Sequence, residues 1–432
     1  MAKIIGIILS VCLVSLFFFP VNLKGMPFIV NTKLLMAVMG IPVLVYNLSR
    51  SLKGKIGYEF IFAFGLACGV SLTTFLSVVL NDTQDYTYVT YVASMAVWTS
   101  AAYFVIKIIQ GVHGYVNVKL IIWYLMIMCT LQCFLALAID MNTDVQQFVD
   151  RYYSDAPFFH EKKRMYGFGC GLDVAGSRFS AVLVMIAYVL YRKSKKNDWR
   201  STALYMICFM IISVIGNMIG RTTTVGMILG LLVIAYSFCN KDVTAKYIKT
   251  IIGLISSFIL IFVILYYSDT KWRDNIEFGF EGFFSLVEEG KWEVHSNEML
   301  KEGFIYPDNV KTWLIGDGYF EEPIRTDPYY VGPVYYGYYK GTDSGYSRFL
   351  FYFGLIGLLM FSAFFVNIVR ICSKTLICYK YMFWGILLVN FIVWIKVSTD
   401  IYVTLAPFLC LGLMKDFEQE PLVADHFTEE WQ

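Results

Sequence analysis

The chain has 432 residues, of which 58% are hydrophobic, 18% aromatic and only 16% charged, with a formal net charge of +2. Charge this sparse, against about 25% in soluble domains, excludes an ordinary water-soluble globule. The near-zero net charge and the lack of an extended basic tract exclude a nucleic-acid-binding protein, which leaves an all-α polytopic membrane protein.

In chain order, twelve apolar stretches approach the roughly 20 residues that a bilayer crossing needs. They are 4–19, 28–48, 58–80, 88–109, 118–139, 177–191, 202–220, 224–239, 250–267, 347–369, 382–397 and 402–414. The last two are short and nearly adjacent, so eleven is the other count the sequence allows. Residues 1–20 have the basic start and apolar run of a signal peptide but no small-residue cleavage site, and read as a retained first span. Nine of the ten cysteines fall in or beside apolar stretches and read as small hydrophobes; Cys170 lies in a loop with no cysteine partner.

Cations accumulate on alternate connections: Arg50, Lys53 and Lys55; Arg192, Lys193, Lys195, Lys196 and Arg200; Lys241, Lys246 and Lys249; Arg370, Lys374 and Lys380. Only Asp198 and Asp242 oppose them. Because Lys and Arg are retained on the cytoplasmic side, these loops face inward and both termini are cytoplasmic. The chain then divides into nine spans over 1–267 with an external loop near 140–176, a large external loop over 268–345, three spans over 346–414, and a cytoplasmic tail over 415–432.

The large loop between the ninth and tenth spans carries seven Lys or Arg against fifteen Asp or Glu, and is long enough to fold into a lid. It holds Tyr319 and a run from Tyr329 to Tyr339 that includes Tyr336. Aromatic faces among carboxylates suit sugar binding, while the same tyrosines would equally serve as an interfacial belt.

Arg221 stands in the external hairpin Gly220-Arg221-Thr222-Thr223-Thr224, Arg178 opens the sixth span, and Arg348 follows Asp343-Ser344-Gly345-Tyr346 at the tenth. Arginines in external connections run against the inward bias of positive charge. An anionic ligand at headgroup depth would explain them, since a guanidinium gives two parallel hydrogen bonds to phosphate oxygens. Snorkelling to lipid phosphates or pairing with a nearby acid is the other reading. Arg221 has no acid beside it in sequence. Asp343 is open to two roles, general base for an acceptor hydroxyl or partner of Arg348. Lys396 is expected to pair with Asp400. His160, Asp173, His295, Glu298 and Asp317 are further loop candidates without rank. No DxD pair or metal-type spacing occurs, so no metal ion or cofactor is expected, and arginines would carry any leaving-group charge.

Three stretches carry a family resemblance: Ile219-Gly220-Arg221-Thr222-Thr223-Thr224-Val225-Gly226, Leu314-Ile315-Gly316-Asp317-Gly318-Tyr319, and Thr342-Asp343-Ser344-Gly345-Tyr346 leading into Phe353-Gly354-Leu355-Ile356-Gly357. In this order, and with a large external loop in its second half, the chain resembles the bacterial O-antigen polymerases, called Wzy, and more distantly the O-antigen ligases. The resemblance implies a GT-C-like glycosyltransferase of the inner membrane, moving a growing glycan from undecaprenyl diphosphate onto the next lipid-linked repeat unit on the periplasmic face. It implies undecaprenyl-diphosphate-linked oligosaccharide as donor and acceptor, membrane lipids around it, and a chain-length regulator as a further candidate partner. By the same resemblance Arg178 and Arg221 bind the donor diphosphate and Arg348 and Asp343 lie near the acceptor; Arg178, Arg221 and Asp343 are the catalytic candidates, and Arg348, Tyr346, Ser344, Tyr319 and Tyr336 the substrate-binding ones. Around Arg178 the sequence Gly167-Phe168-Gly169-Cys170-Gly171-Leu172-Asp173 follows the family only loosely. A ligase shares this layout. A flippase would instead place ionisable residues near the bilayer midplane, where these spans carry almost none.

Overall fold

A computed structural model describes residues 2–27, 30–51, 55–162, 164–195, 198–239, 243–288, 290–291, 304–335 and 337–414. Seven of its helices are long and apolar enough to cross a membrane: α3 (Lys55–Leu80), α4 (Tyr91–His113), α5 (Val118–Met141), α8 (Leu172–Lys193), α9 (Trp199–Ile219), α11 (Ala245–Ser268) and α15 (Gly345–Thr375). Five shorter apolar helices, α1 (Ala2–Phe18), α2 (Thr32–Ser51), α10 (Thr223–Phe238), α16 (Lys380–Val393) and α17 (Tyr402–Gly412), fall in the other five apolar stretches. These helices make the chain a multi-pass membrane protein, and among the described residues its secondary structure is helical apart from isolated bridges and a two-stranded hairpin pairing Tyr166–Gly167 with Cys170–Gly171.

The axis of the bundle is α8, with 89% of its apolar window buried, whereas α11 has 6% buried and lies at the periphery. Small residues set this arrangement. A Cβ on Gly226 of α10 would lie 2.2 Å from the Cα of Ser180 on α8, so the two backbones touch, as small residues allow between membrane helices. The Ser180 hydroxyl seals the contact: it donates to the Thr222 carbonyl at 2.7 Å and accepts from the Gly226 amide at 2.9 Å. The predicted start of the sixth span at Ser177 is corrected by five residues. Leu172-Asp173-Val174-Ala175-Gly176 already belongs to α8, which moves Arg178 from the rim into the helix. Asp173 interrupts the apolar pattern of that extra turn, whose Gly176 packs on the Gly220 turn.

Polar contacts sort the connections into two sets at opposite ends of the bundle. At one end Thr244 donates to the Ser194 carbonyl, Lys374 pairs with Glu59, and Arg192 reaches the Cys378 carbonyl. At the other, the connections after α1, α3, α5, α9, α11 and α16 meet one another. Several of the basic connections thus meet at one end of the bundle. The two long connections carry the remaining helices: α6 (Thr143–Tyr152) and α7 (Ala156–Glu161) in the first, and α12 (Thr270–Glu288), α13 (Val310–Ile315) and α14 (Pro323–Thr326) in the second. Residues 415–432, Tyr336, His295 and Glu298 lie outside the described residues.

Two of the glycine motifs form a single joint. At Gly354 α15 leaves helical geometry, with φ 65° and ψ −170°. The break strips the preceding carbonyls of their partners within the helix, and in an apolar bundle they must find others. The loop after α13 supplies them. Asp317 donates its amide to the Phe351 carbonyl and Gly318 to that of Tyr352, which also accepts from the Ser77 hydroxyl at 2.7 Å. Gly316 and Gly318 both have positive φ, and Gly316 lies against the Tyr352 backbone. Asn81 and Thr83, just beyond α3, bond the carbonyls of Gly316 and Gly318 at 3.1 and 2.9 Å.

Candidate functional site

The joint leads the chain straight to Arg348. Two residues past Gly318, the amides of Phe320 and Glu321 both donate to Asp85 Oδ2, at 2.8 and 3.0 Å. Asp85 Oδ1 accepts from the amide and hydroxyl of Thr87, so this fully buried carboxylate is saturated by four donors. It fixes the large loop to the connection after α3, and nothing in the local sequence marks it. An Asp85→Asn protein would turn an amide NH2 towards amide donors. Its thermal midpoint is expected to fall by several degrees, reflecting about 2–3 kcal/mol for buried groups left unpaired.

Held in this way, the Phe320 ring lies 3.8 Å from the Arg348 guanidinium and the Tyr338 ring 3.4 Å from it. Arg348 is 5% exposed, pairs with Glu321 at 3.3 Å, and donates to the Ser398 hydroxyl. Its Nε has no partner. Glu321, not Asp343, is therefore the acid that Arg348 pairs with; Asp343 is exposed at the start of α15. Burial raises the Glu321 carboxyl from its ordinary range and Arg348 pulls it back. Ser344 caps α15 by accepting from the Ser347 amide and is fully buried, and the Tyr346 hydroxyl donates to the Phe391 carbonyl at 2.9 Å. Both have structural partners. Tyr319 donates to Asp327 at 3.1 Å and packs with Tyr330 and Tyr339, which makes these tyrosines a loop core.

Arg178 is 8% exposed. It donates to the Phe18 carbonyl, lies 5.7 Å from the rings of Phe19 and Trp98, and has an unpartnered Nε. Its charge acts together with that of Lys33, 4.4 Å over the Trp98 ring, on Asp400. Lys33 escaped the sequence reading because it looks like a helix-end cation. Burial pushes the Asp400 carboxyl above the usual carboxylate range, opposed by the Tyr402 amide, Arg178 and Lys33. A carboxyl raised on folding contributes stability below its unfolded pKa of about 3.9 and loses that contribution as pH rises through the folded value. Relative to Asp400→Asn, the wild-type protein should therefore lose thermal stability as pH rises from about 4 to 7; a parallel pair of melting curves across that range would contradict this.

Arg221 projects from the turn between α9 and α10 and pairs with Glu281 of α12, sixty positions away, with its side chain 15% exposed. The Phe278 ring lies 4.6 Å from Arg221 and 3.9 Å from Arg164, so one ring contacts both guanidiniums. Burial first, and the like charge of Arg221 second, lower the Arg164 pKa, while Asp173 and Glu281 raise it. The expected pairing of Lys396 with Asp400 is corrected: Lys396 reaches Asp173 at 3.5 Å. The two residues face different neighbours because the segment between α16 and α17 is not helical. Elsewhere, Asp150 binds His160 at 2.7 Å and Asp317 accepts from Thr312 and Tyr339.

One short stretch thus touches all three arginine environments. Lys396 joins Asp173, whose charge acts on Arg164 next to Arg221; Ser398 accepts from Arg348; and Asp400 feels Arg178 and Lys33. Four residues of extended chain cover at most about 14 Å. The 396–400 segment thus borders the surroundings of all three arginines, each of which has its own acceptor. Among the described residues, no group of three or more His, Cys, Asp or Glu side chains is arranged to hold a metal ion. Compared with known proteins, the chain matches no family model, no curated protein and no solved structure.

Proposed function

We propose that this protein is a GT-C-type polymerase of O-antigen or a related surface polysaccharide, with twelve spans and both termini in the cytoplasm of a bacterial inner membrane. It would transfer a growing glycan from undecaprenyl diphosphate to the next lipid-linked repeat unit on the periplasmic face. The observation that carries this reading is that the 396–400 segment, at the end of the bundle opposite the basic loops, borders the surroundings of Arg178, Arg221 and Arg348. Two of these guanidiniums keep a buried, unpartnered Nε, a donor that an anionic ligand would satisfy.

The chemistry follows from the charges. Breaking the bond between sugar and phosphate leaves negative charge on the departing diphosphate, and fixed guanidiniums in a poorly hydrated site stabilise it without reorganising. Arg178 and Arg221 are assigned to the donor diphosphate, with Lys33 as an added cation. Arg348 lies on the acceptor side. Asp343, exposed at the start of α15, is the candidate base for the attacking hydroxyl.

The glycan profile of a deletion strain tests the reading. A polymerase mutant displays single-repeat caps. Accumulated lipid-linked polymer would instead identify a ligase, and lipid-linked units stranded on the inner face a flippase.

A further inference from the structure

An apolar cavity lies along α9 beyond Arg221. About 460 Å³ in volume and open on one side, it is walled by α9, α10, α11 and the second half of α12, with Met210, Met227, Leu231, Phe258 and Phe284 among its lining. That volume is within the range of about 300–1,000 Å³ typical of small-ligand pockets. Its α9 wall begins roughly 10 Å along the helix from Arg221 and ends roughly 18 Å away, at 1.5 Å per residue, a depth comparable to one bilayer leaflet. One wall is α11, the peripheral helix, so the cavity borders the lipid phase.

A single helix connects the charged and apolar parts. On α12, Phe278 and Glu281 meet Arg164 and Arg221, while Phe280, Phe283 and Phe284 wall the cavity. Between them α12 leaves helical geometry at Phe280, flanked by Gly279 and Gly282. Glu281 thus stands at a break in the helix, and its carboxylate occupies the guanidinium that an incoming anion would need.

We infer that Arg164, Arg221 and this cavity form one site for an anionic lipid, the phosphates bound by both guanidiniums and the hydrocarbon chain lying among α9–α12, with Glu281 as the carboxylate they displace. Resting on the function proposed above, the occupant is the donor's polyprenyl diphosphate. Charge complementarity supports this. An apolar cavity alone would accept any acyl chain, but two arginines on the Phe278 ring, two residues along α12 from Phe280 of its wall, select a head carrying more than one negative charge. Arg164 and Phe278 thereby become head-binding residues, and Leu231 a chain-binding one.

The test uses the full chain in lipid nanodiscs and a farnesyl diphosphate analogue with a diazirine at the chain terminus. Photolabel should map to peptides bearing Met210, Met227 or Phe258, and unlabelled undecaprenyl diphosphate should compete for it. Labelling should drop about tenfold in Arg164→Ala, since a charge-assisted hydrogen bond is worth about that much. Leu231→Trp, which fills the cavity, should lose the label as well, with Met227→Phe as a milder filler should the tryptophan variant fail to fold. Glu281→Gln should raise labelling by freeing Arg221. Label spread over the lipid-facing side of α11 in every variant, or equal competition by phosphatidylglycerol, would overturn the proposal. So would labelling that is unchanged or reduced in Glu281→Gln. A mapped, competed label in a protein whose deletion leaves surface glycan unaltered would defeat the polymerase reading and leave the lipid site standing.

Discussion

An Arg221→Ala protein is expected to reach normal abundance in the membrane yet to extend chains about 10²–10³ times more slowly, the loss typical of removing one preorganised donor at a developing negative charge. Abundance should hold because the Arg221–Glu281 pair is partly open: the carboxylate side chain left behind is 33% exposed, and such pairs contribute about 1 kcal/mol or less. Arg221→Lys should fall between the two, keeping the charge while losing the forked geometry that matches phosphate oxygens. The measurement is the length distribution of surface glycan from a complemented deletion strain, with membrane levels of each variant quantified in parallel. Normal-length polymer from Arg221→Ala would remove this arginine from the mechanism. Loss of the protein itself would make the Glu281 pair a structural one.

Gly354→Ala should fail differently, through folding. The combination φ 65°, ψ −170° is open to glycine almost alone, and a Cβ there would lie 2.3 Å from the carbon and oxygen of the Leu314 carbonyl, a backbone group that cannot swing aside. Conformational strain of about 1–3 kcal/mol adds to the steric cost of parting the joint. The 316–318 loop would then lose its seat, and with it the amides that satisfy the Phe351 and Tyr352 carbonyls. The expected result is little or no folded protein, read as loss of the monodisperse peak on detergent extraction. Ala at Gly65, whose Cβ direction is open within 4 Å, is the matched control and should be tolerated. A well-folded Gly354→Ala would mean that the α15 break does not depend on this residue.

How much of this was visible beforehand depends on range. That each of the twelve apolar stretches forms a helix was legible because composition over about twenty residues is local. The three arginines were legible as anomalies against that background. Their partners were not. Glu281 for Arg221, Glu321 for Arg348, Asp173 for Lys396 and the saturated Asp85 are contacts between distant stretches of chain, and no periodicity announces them. The early start of α8 was missed for another reason, since Asp173 interrupts the apolar pattern of its first turn. The motifs centred on Gly316 and Gly354 were each noticed, but their union was not, because only the positive φ of three glycines and the stripped carbonyls of α15 reveal that one stretch plugs the gap in the other.

That union has a mechanical consequence. A transmembrane rod that is continuous from one face to the other transmits any tilt, because lipid bilayers of different thickness are accommodated by leaning. The rod carrying Arg348 is severed nine residues from its outer end, and the short outer piece is bolted to the loop, to Ser77 and, through the loop, to Asp85 rather than to its own lower half. Leaning of the long lower section can then be taken up at the articulation, so the guanidinium should keep its station while the surrounding bilayer thins or thickens.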